Sequence, residues 1–250
     1  MTAERSLEAA LAQVRDVQGW MSPDQAERLY RAAASTRTGD QIVEIGSFQG
    51  RSTIVLAYGA PEGAHVVAID PHAGNDRGPQ EIDGFVEQAA GDHERFNANL
   101  SDAGVSDRVR HVREFSDRAH DSVSGPIEVL YIDGAHRYAP ARADIVDWGA
   151  RVAPGGTMLI HDSFSSVGVT LAILRELLVS TRFRYVGRAR SLTEFRADLD
   201  GTLRSRFGNA ALLLAQLPWF IKNLSIKVLI TAKLGGVLRA ITGREPEWPY

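Results

Sequence analysis

Four short apolar runs, at 42–45, 66–69, 127–132 and 157–160, most constrain what this chain can fold into. Stretches of helical character, such as Ile82 to Leu100 and Tyr138 to Val152, separate them. The runs lack the strict alternation of half-solvated strands. They read as strands buried on both faces, and strands alternating with helices imply a parallel sheet covered on each side. Val109 to Glu114 adds a weaker strand candidate. A helix from about Val167 to Val179 precedes a closing strand pair at 183–186 and 192–195. Ahead of the sheet, Leu7, Leu11 and Val14 recur at helical spacing, and Ser22 with Pro23 starts a second helix as N-cap and first helical residue. The expected fold class is α/β, a doubly wound, mostly parallel seven-stranded sheet. The expected organisation is N-terminal helices over 1–40, a binding and catalytic domain over 41–200, and a helical extension over 201–250.

Composition narrows the function classes. The sequence has no cysteine, which excludes disulfides, thiolate nucleophiles and zinc–thiolate sites. A net charge of −3 gives no global field toward nucleic acid. The first residues include Glu4, Arg5 and Glu8 and show no apolar signal core, so a cytoplasmic protein is expected.

In a doubly wound sheet, ligands bind beyond the carboxyl ends of the parallel strands. The apolar runs end at Glu44, Asp70, Asp133 and Asp162, so four strands deliver acids to one edge. One such acid usually caps the next helix; four in register suggest a site. The first turn, Glu44 to Gly50, carries Gly46 and Gly50 for a tight turn and close ligand approach, with Ser47 between them. It has neither the GxGxxG dinucleotide spacing nor a P-loop lysine. An acid at Glu44 would repel a pyrophosphate and attract a cationic ligand such as S-adenosylmethionine. Ser52, at the next helix start, could hold that ligand's carboxylate, and Asp70 could accept from its ribose hydroxyls.

Val43 to Ser47 through Gly50, with Val67 to Pro71, resembles the cofactor half of class I S-adenosylmethionine-dependent methyltransferases. Tyr131 to His136, Pro154-Gly155-Gly156 and His161-Asp162-Ser163 extend the resemblance over roughly 43–197. It is most similar to bacterial O-methyltransferases acting on macrolide and polysaccharide sugars, among them the 1-O-methyltransferases of methylmannose polysaccharide synthesis. The resemblance implies Mg²⁺ on Asp133 and Asp162, a general base at His136, and an adenine pocket near Ser116. Relatives place an acid just before Asp162 or an amide just after it. Here His161 and Ser163 stand there, leaving the third metal ligand open among these two and water. The chemistry agrees with these roles. A sugar hydroxyl holds its proton tightly; Mg²⁺ binds hard oxygen ligands and stabilises a developing alkoxide, and a histidine with an ordinary pKa of about 6.5 can take the proton.

The implied function is Mg²⁺-dependent methyl transfer to a saccharide hydroxyl, for example the 1-OH of a 3-O-methylmannoside. A catechol-like phenol is the competing acceptor, and a nicotinamide oxidoreductase the competing class. The polar loop from Pro71 to Ile82, with His72, Asn75, Asp76 and Arg77, mildly favours sugar. His161 reads as packing at its strand end, because imidazole suits softer metals than magnesium. His93, His111 and His120 read as surface residues.

From Asn209 to Ile241 the chain is apolar and basic, and no acid occurs between Asp200 and Glu245. Asn223, Lys227 and Thr231 form a narrow polar stripe. The longest apolar run, broken by Gln216 and Pro218, falls short of the ~20 residues that span a bilayer. One reading is helices packed on the core or on a second subunit. The other is a surface-lying element drawn to anionic lipid or an acyl-bearing substrate.

Overall fold

The computed structural model describes residues 5–73 and 86–232, with side chains from 91 onward in the second stretch. Asn75, Asp76, Arg77, the helix start at Ile82, and the cations Lys233, Arg239 and Arg244 lie outside the described residues.

Seven strands form one sheet: β1 (Gln41–Ile45), β2 (His65–Ile69), β3 (Val109–Val112), β4 (Ile127–Ile132), β5 (Val152–Ile160), β6 (Arg184–Ala189) and β7 (Leu192–Arg196), in the order β3-β2-β1-β4-β5-β7-β6. Strands β1 to β5 run parallel, and β7 enters antiparallel between β5 and β6. The chain winds outward from β1 in both directions, so the crevice between β1 and β4 is the switch point where such sheets bind ligands.

Side-chain alternation explains why these runs are apolar throughout. Val43, Ile45, Val67, Ile69, Leu130 and Ile132 face one core with Trp148 and the helices α5 (Tyr138–Ala143) and α6 (Val167–Leu177). Ile42, Val66, Ala68, Val129, Tyr131 and Leu159 face the other, packed by α2 (Pro23–Ala34) and α3 (Arg51–Gly59), with Phe96 of α4 (Val86–Asp102). Helix α1 (Leu7–Gln13) joins that second layer through Ala10, and its N-cap Ser6 accepts from the Ala9 N–H. At the start of α2, Ser22 and Gln25 form a capping box, and Pro23 between them is the first helical residue.

The helix expected to run from Tyr138 to Val152 is broken into pieces. After α5 the backbone widens into π turns over Asp144–Trp148 and tightens again over Gly149–Arg151. That irregularity turns Asp144 and Trp148 toward the sheet edge, and such π turns recur at functional sites. Two further helices, α7 (Leu203–Leu214) and α8 (Leu217–Thr231), close the described chain.

Candidate functional site

Among the described residues, five non-glycine residues hold φ between +46° and +55°, and four of them, Phe48, His72, Asp162 and Phe164, lie in loops leaving the carboxyl ends of β1, β2 and β5. Such conformations cost energy and persist where the surroundings impose them, which marks this edge as the working one. A cleft of about 600 Å³ opens there, large enough for a cofactor-sized ligand.

Gly46, Asp70, Ser116 and Asp133 line the cleft together with Phe48, Asp144 and Trp148. Gly46 has φ +85°, and a Cβ on it would come within 2.2 Å of the Asp133 carbonyl oxygen. Only glycine lets β1 and β4 stay this close where they part. One carboxylate oxygen of Asp70 accepts the Ser47 and Phe48 N–H groups at 2.9 and 2.8 Å, and the other accepts the His72 N–H at 2.7 Å. Asp70 therefore ties the first turn to the second, with acceptor capacity left for a ligand. Ser116 donates to Asp144 at 2.6 Å, and its carbonyl accepts from the Trp148 indole at 3.2 Å. Burial raises the Asp144 carboxyl to about 6, against the lowering effect of that hydroxyl.

Glu44 is placed differently from its expected role. Its neighbour Ile45 faces the cleft, so alternation sends Glu44 to the opposite face, under α3. There it is fully buried and accepts from the hydroxyls of Ser52 and Thr53. The Ser52 hydroxyl is engaged downward in the same contact. Burial pushes the Glu44 carboxyl up to about 8, opposed by those two hydrogen bonds, so it is mostly neutral at pH 7. A buried group with a raised pKa lowers stability as pH rises from the unfolded value of 4.5 through 8, because the unfolded chain ionises first. Glu44→Gln should match the wild type in unfolding free energy below pH 4.5. It should then gain on it by up to ~1.4 kcal/mol per pH unit until about pH 8. Urea unfolding at acid, neutral and alkaline pH measures this; parallel curves would mean that Glu44 is ionised in the fold.

Ser47 is buried with its hydroxyl unpartnered among the described residues, and it lines a small pocket with Ser52, Arg51, Trp20, Tyr131 and Asp133. Arg51 reaches the Val17 carbonyl, and partial burial lowers its guanidinium pKa. Gly50 lines neither space: it caps α3 at φ +86° and packs toward Phe96.

Asp133, His136 and Asp162 come together at the ends of β4 and β5, with one ligand-type atom of each within 4.8 Å of the others. His136 Nε2 lies 2.6 Å from Asp162 Oδ2. His161, 4% exposed, sits against both acids, with Nδ1 3.2 Å from Asp133 Oδ1 and 3.4 Å from Asp162 Oδ2. Burial disfavours its charged form, but the two carboxylates outweigh that and raise it to about 10. Burial likewise opposes ionisation of Asp162, yet the two imidazoles hold it well below the usual carboxylate range. Ser163 turns away, donating to the Ile160 carbonyl at 2.8 Å and meeting the Thr193 hydroxyl at 2.7 Å. The loop carrying His136 is pressed against α6 where Gly168 leaves room; a Cβ there would lie 2.3 Å from the His136 carbonyl oxygen.

Residues 43–163 match the sequence profile of a family described as a methyltransferase domain. Nearly half of the chain is thus similar to a methyltransferase domain. The match speaks against the nicotinamide alternative, and the sheet order is that of the class I methyltransferase fold. Solved structures share the fold at low identity. A Corynebacterium glutamicum protein aligns at TM-score 0.59 and 14% identity, covering 76% of this chain and 90% of its own. The O-methyltransferase NovP aligns at 0.56 and 15%, covering 77% and 88%. The Podospora anserina methyltransferase PaMTH1, bound to S-adenosylhomocysteine, aligns at 0.54 and 15%, covering 77% and 87%.

Near the cleft, three histidines expected at the surface are partly buried. His120 lines it and stacks on Trp148 with ring centroids 4.5 Å apart. His111 and His93 pack with His72 at 5.0 to 5.2 Å between centroids, and Phe96 adjoins them. Asp144, Trp148, Arg51 and Gly168 escaped the sequence reading. Their partners lie far along the chain: Ser116 for both Asp144 and Trp148, Val17 for Arg51 and the His136 carbonyl for Gly168.

Proposed function

We propose that the protein transfers the methyl group of S-adenosylmethionine to a saccharide hydroxyl with the help of Mg²⁺. The observation that carries this reading is the Asp133–His136–Asp162 cluster at the rim of a cofactor-sized cleft. NovP and PaMTH1 support the transferred group and the donor, as an O-methyltransferase and a protein holding the spent cofactor.

The donor's adenine would lie by Ser116, Asp144 and Trp148, and one of its ribose hydroxyls would donate to the lone-pair site that Asp70 has left. With Ser52 engaged by Glu44, its carboxylate falls to the unpartnered Ser47 hydroxyl and to Arg51. The residues fit the metal: two carboxylates from different strands are the hard donors that Mg²⁺ takes while keeping waters. When bound, the ion lowers the acceptor hydroxyl's pKa and stabilises developing negative charge. His136 would take the hydroxyl proton on Nε2, which here lies 2.6 Å from Asp162 Oδ2 and must first exchange that contact for the acceptor. The acceptor oxygen bonds the methyl carbon as the carbon–sulfur bond breaks, and that electron pair stays on sulfur. A catechol-like phenol is the competing acceptor.

Labelled cofactor offered to a panel of mono- and oligosaccharides, 3-O-methylmannosides included, and to catechols tests both acceptors. EDTA should reduce turnover roughly tenfold or more, and added Mg²⁺ should restore it in the wild type but not in Asp133→Asn or Asp162→Asn. Full activity in EDTA would contradict the metal assignment.

A further inference from the structure

Helices α7 and α8 bury little of their apolar surface: Leu213 enters the core, Trp219 and Phe220 pack partly against it, and most of the other large apolar side chains face outward. Between them stand only Ala215 and Gln216, and the combined stretch Leu203–Thr231 is long and apolar enough to cross a membrane. Gln216 and Pro218 break the uninterrupted apolar run, but the helical stretch as a whole reaches 29 residues. Only 11% of its most apolar window is buried. The buried positions are polar to an unusual degree. Asn209 accepts from the Tyr185 N–H at 2.7 Å and donates to the Leu177 and Phe183 carbonyls. Asn223 donates to the Phe164 carbonyl at 3.1 Å, and Lys227 donates to the carbonyl and hydroxyl of Ser165, both at 2.9 Å. Asn209, Asn223 and Lys227 therefore point into the protein, while Thr231 is exposed. Leu203, Phe207, Leu212, Ile221, Leu224 and Val228 are exposed on the outside, Phe207 by 72%.

An amphipathic helix in water does the reverse. Apolar surface of this extent marks an interaction site. The charges identify the occupant. Arg204 and Lys222 are exposed among the apolar side chains, and no acid occurs from 201 to 244. Pairing this face with a second copy would oppose cation to cation with no carboxylate on the segment to compensate. An anionic bilayer surface supplies both the apolar depth and the counter-charge. We infer that α7–α8 is an in-plane docking element for anionic lipid, held flat against the body by Asn209, Asn223 and Lys227 rather than crossing the bilayer. Because Asn223 and Lys227 grip the loop just after Asp162, docking would bring the carboxyl edge of the sheet close to the lipid surface.

Flotation of the full chain with phosphatidylcholine vesicles, with and without phosphatidylglycerol, tests this independently of turnover. The wild type should float with the anionic vesicles and stay behind with the neutral ones. Replacing Phe207, Ile221 and Val228 by serine should lower the bound fraction at least tenfold while leaving thermal unfolding unchanged, since these side chains face solvent. Lys222→Ala should weaken partitioning about fivefold. If the triple variant fails to fold, Phe207→Ser alone serves, with a smaller loss expected. Absence of flotation by the folded wild type, or equal flotation by the outward-face variants, overturns the proposal. So does a stable dimer in light scattering that the same substitutions dissolve, which would make the face a subunit interface.

Discussion

Replacing His136 by alanine is expected to lower kcat by about 10²- to 10⁴-fold, the range over which a positioned general base contributes. Affinity for S-adenosylhomocysteine should stay within about twofold, because His136 lies outside the cleft walls formed by Asp70, Ser116, Asp144 and Trp148. The separation of these effects is the point of the experiment. His136 Nε2 stands 2.6 Å from Asp162, so a loss of turnover could also arise if Asp162 were disturbed. His161→Gln is the control. It removes the other imidazole beside both acids, leaves His136 in place, and should perturb the metal response more than the proton transfer. Steady-state turnover and calorimetric binding of the spent cofactor read the two quantities. A His136→Ala enzyme retaining turnover within a few fold of wild type would place the base elsewhere.

How far this site was legible in the sequence follows from what each residue's position depends on. Asp70, Asp133 and Asp162 were readable because parallel strands share one carboxyl edge, so an acid ending an apolar run has one place to go. His136 was readable through its spacing from Asp133 within the family resemblance. Glu44 was misplaced by one residue's worth of geometry. Alternation guarantees that Glu44 and Ile45 face opposite ways, but nothing local says which face holds the cleft. His161 packs at its strand end as expected, yet its contact with both acids depends on the register of β5 against β4. The polarity of α7–α8 was beyond reach for a similar reason. With few polar residues on a helix, the pattern fixes a stripe without saying whether it points inward, and the partners that settle it are backbone carbonyls at Leu177, Phe183, Phe164 and Ser165.

The same dependence on long-range contact makes Gly46 the position where one methyl group should do the greatest structural harm. Two costs are separable there. A left-handed conformation costs an L-residue about 1–2 kcal/mol, and Gly46 has φ +85°. Added to this, its Cβ would meet the Asp133 carbonyl oxygen at 2.2 Å, that carbonyl's carbon at 2.6 Å and Gly134 Cα at 2.9 Å. All three are backbone atoms just past the end of the neighbouring strand β4, and rotamer changes cannot relieve them. Gly155 is the matched comparison: its φ is +81°, and an added Cβ would meet nothing within 4 Å. Gly155→Ala should therefore cost only the conformational penalty. Gly46→Ala should cost several kcal/mol beyond it, within the ~1–3 kcal/mol of overpacking or above, because β1 and β4 would have to separate. Separation of these strands moves Asp133, so cofactor binding and the magnesium response should fail together, unlike the selective loss at His136. Urea unfolding of both glycine variants, with calorimetric titration of S-adenosylhomocysteine, measures the difference. Equal destabilisation by the two substitutions would show that β1 and β4 are not in contact at the switch point, and the site as described could not form.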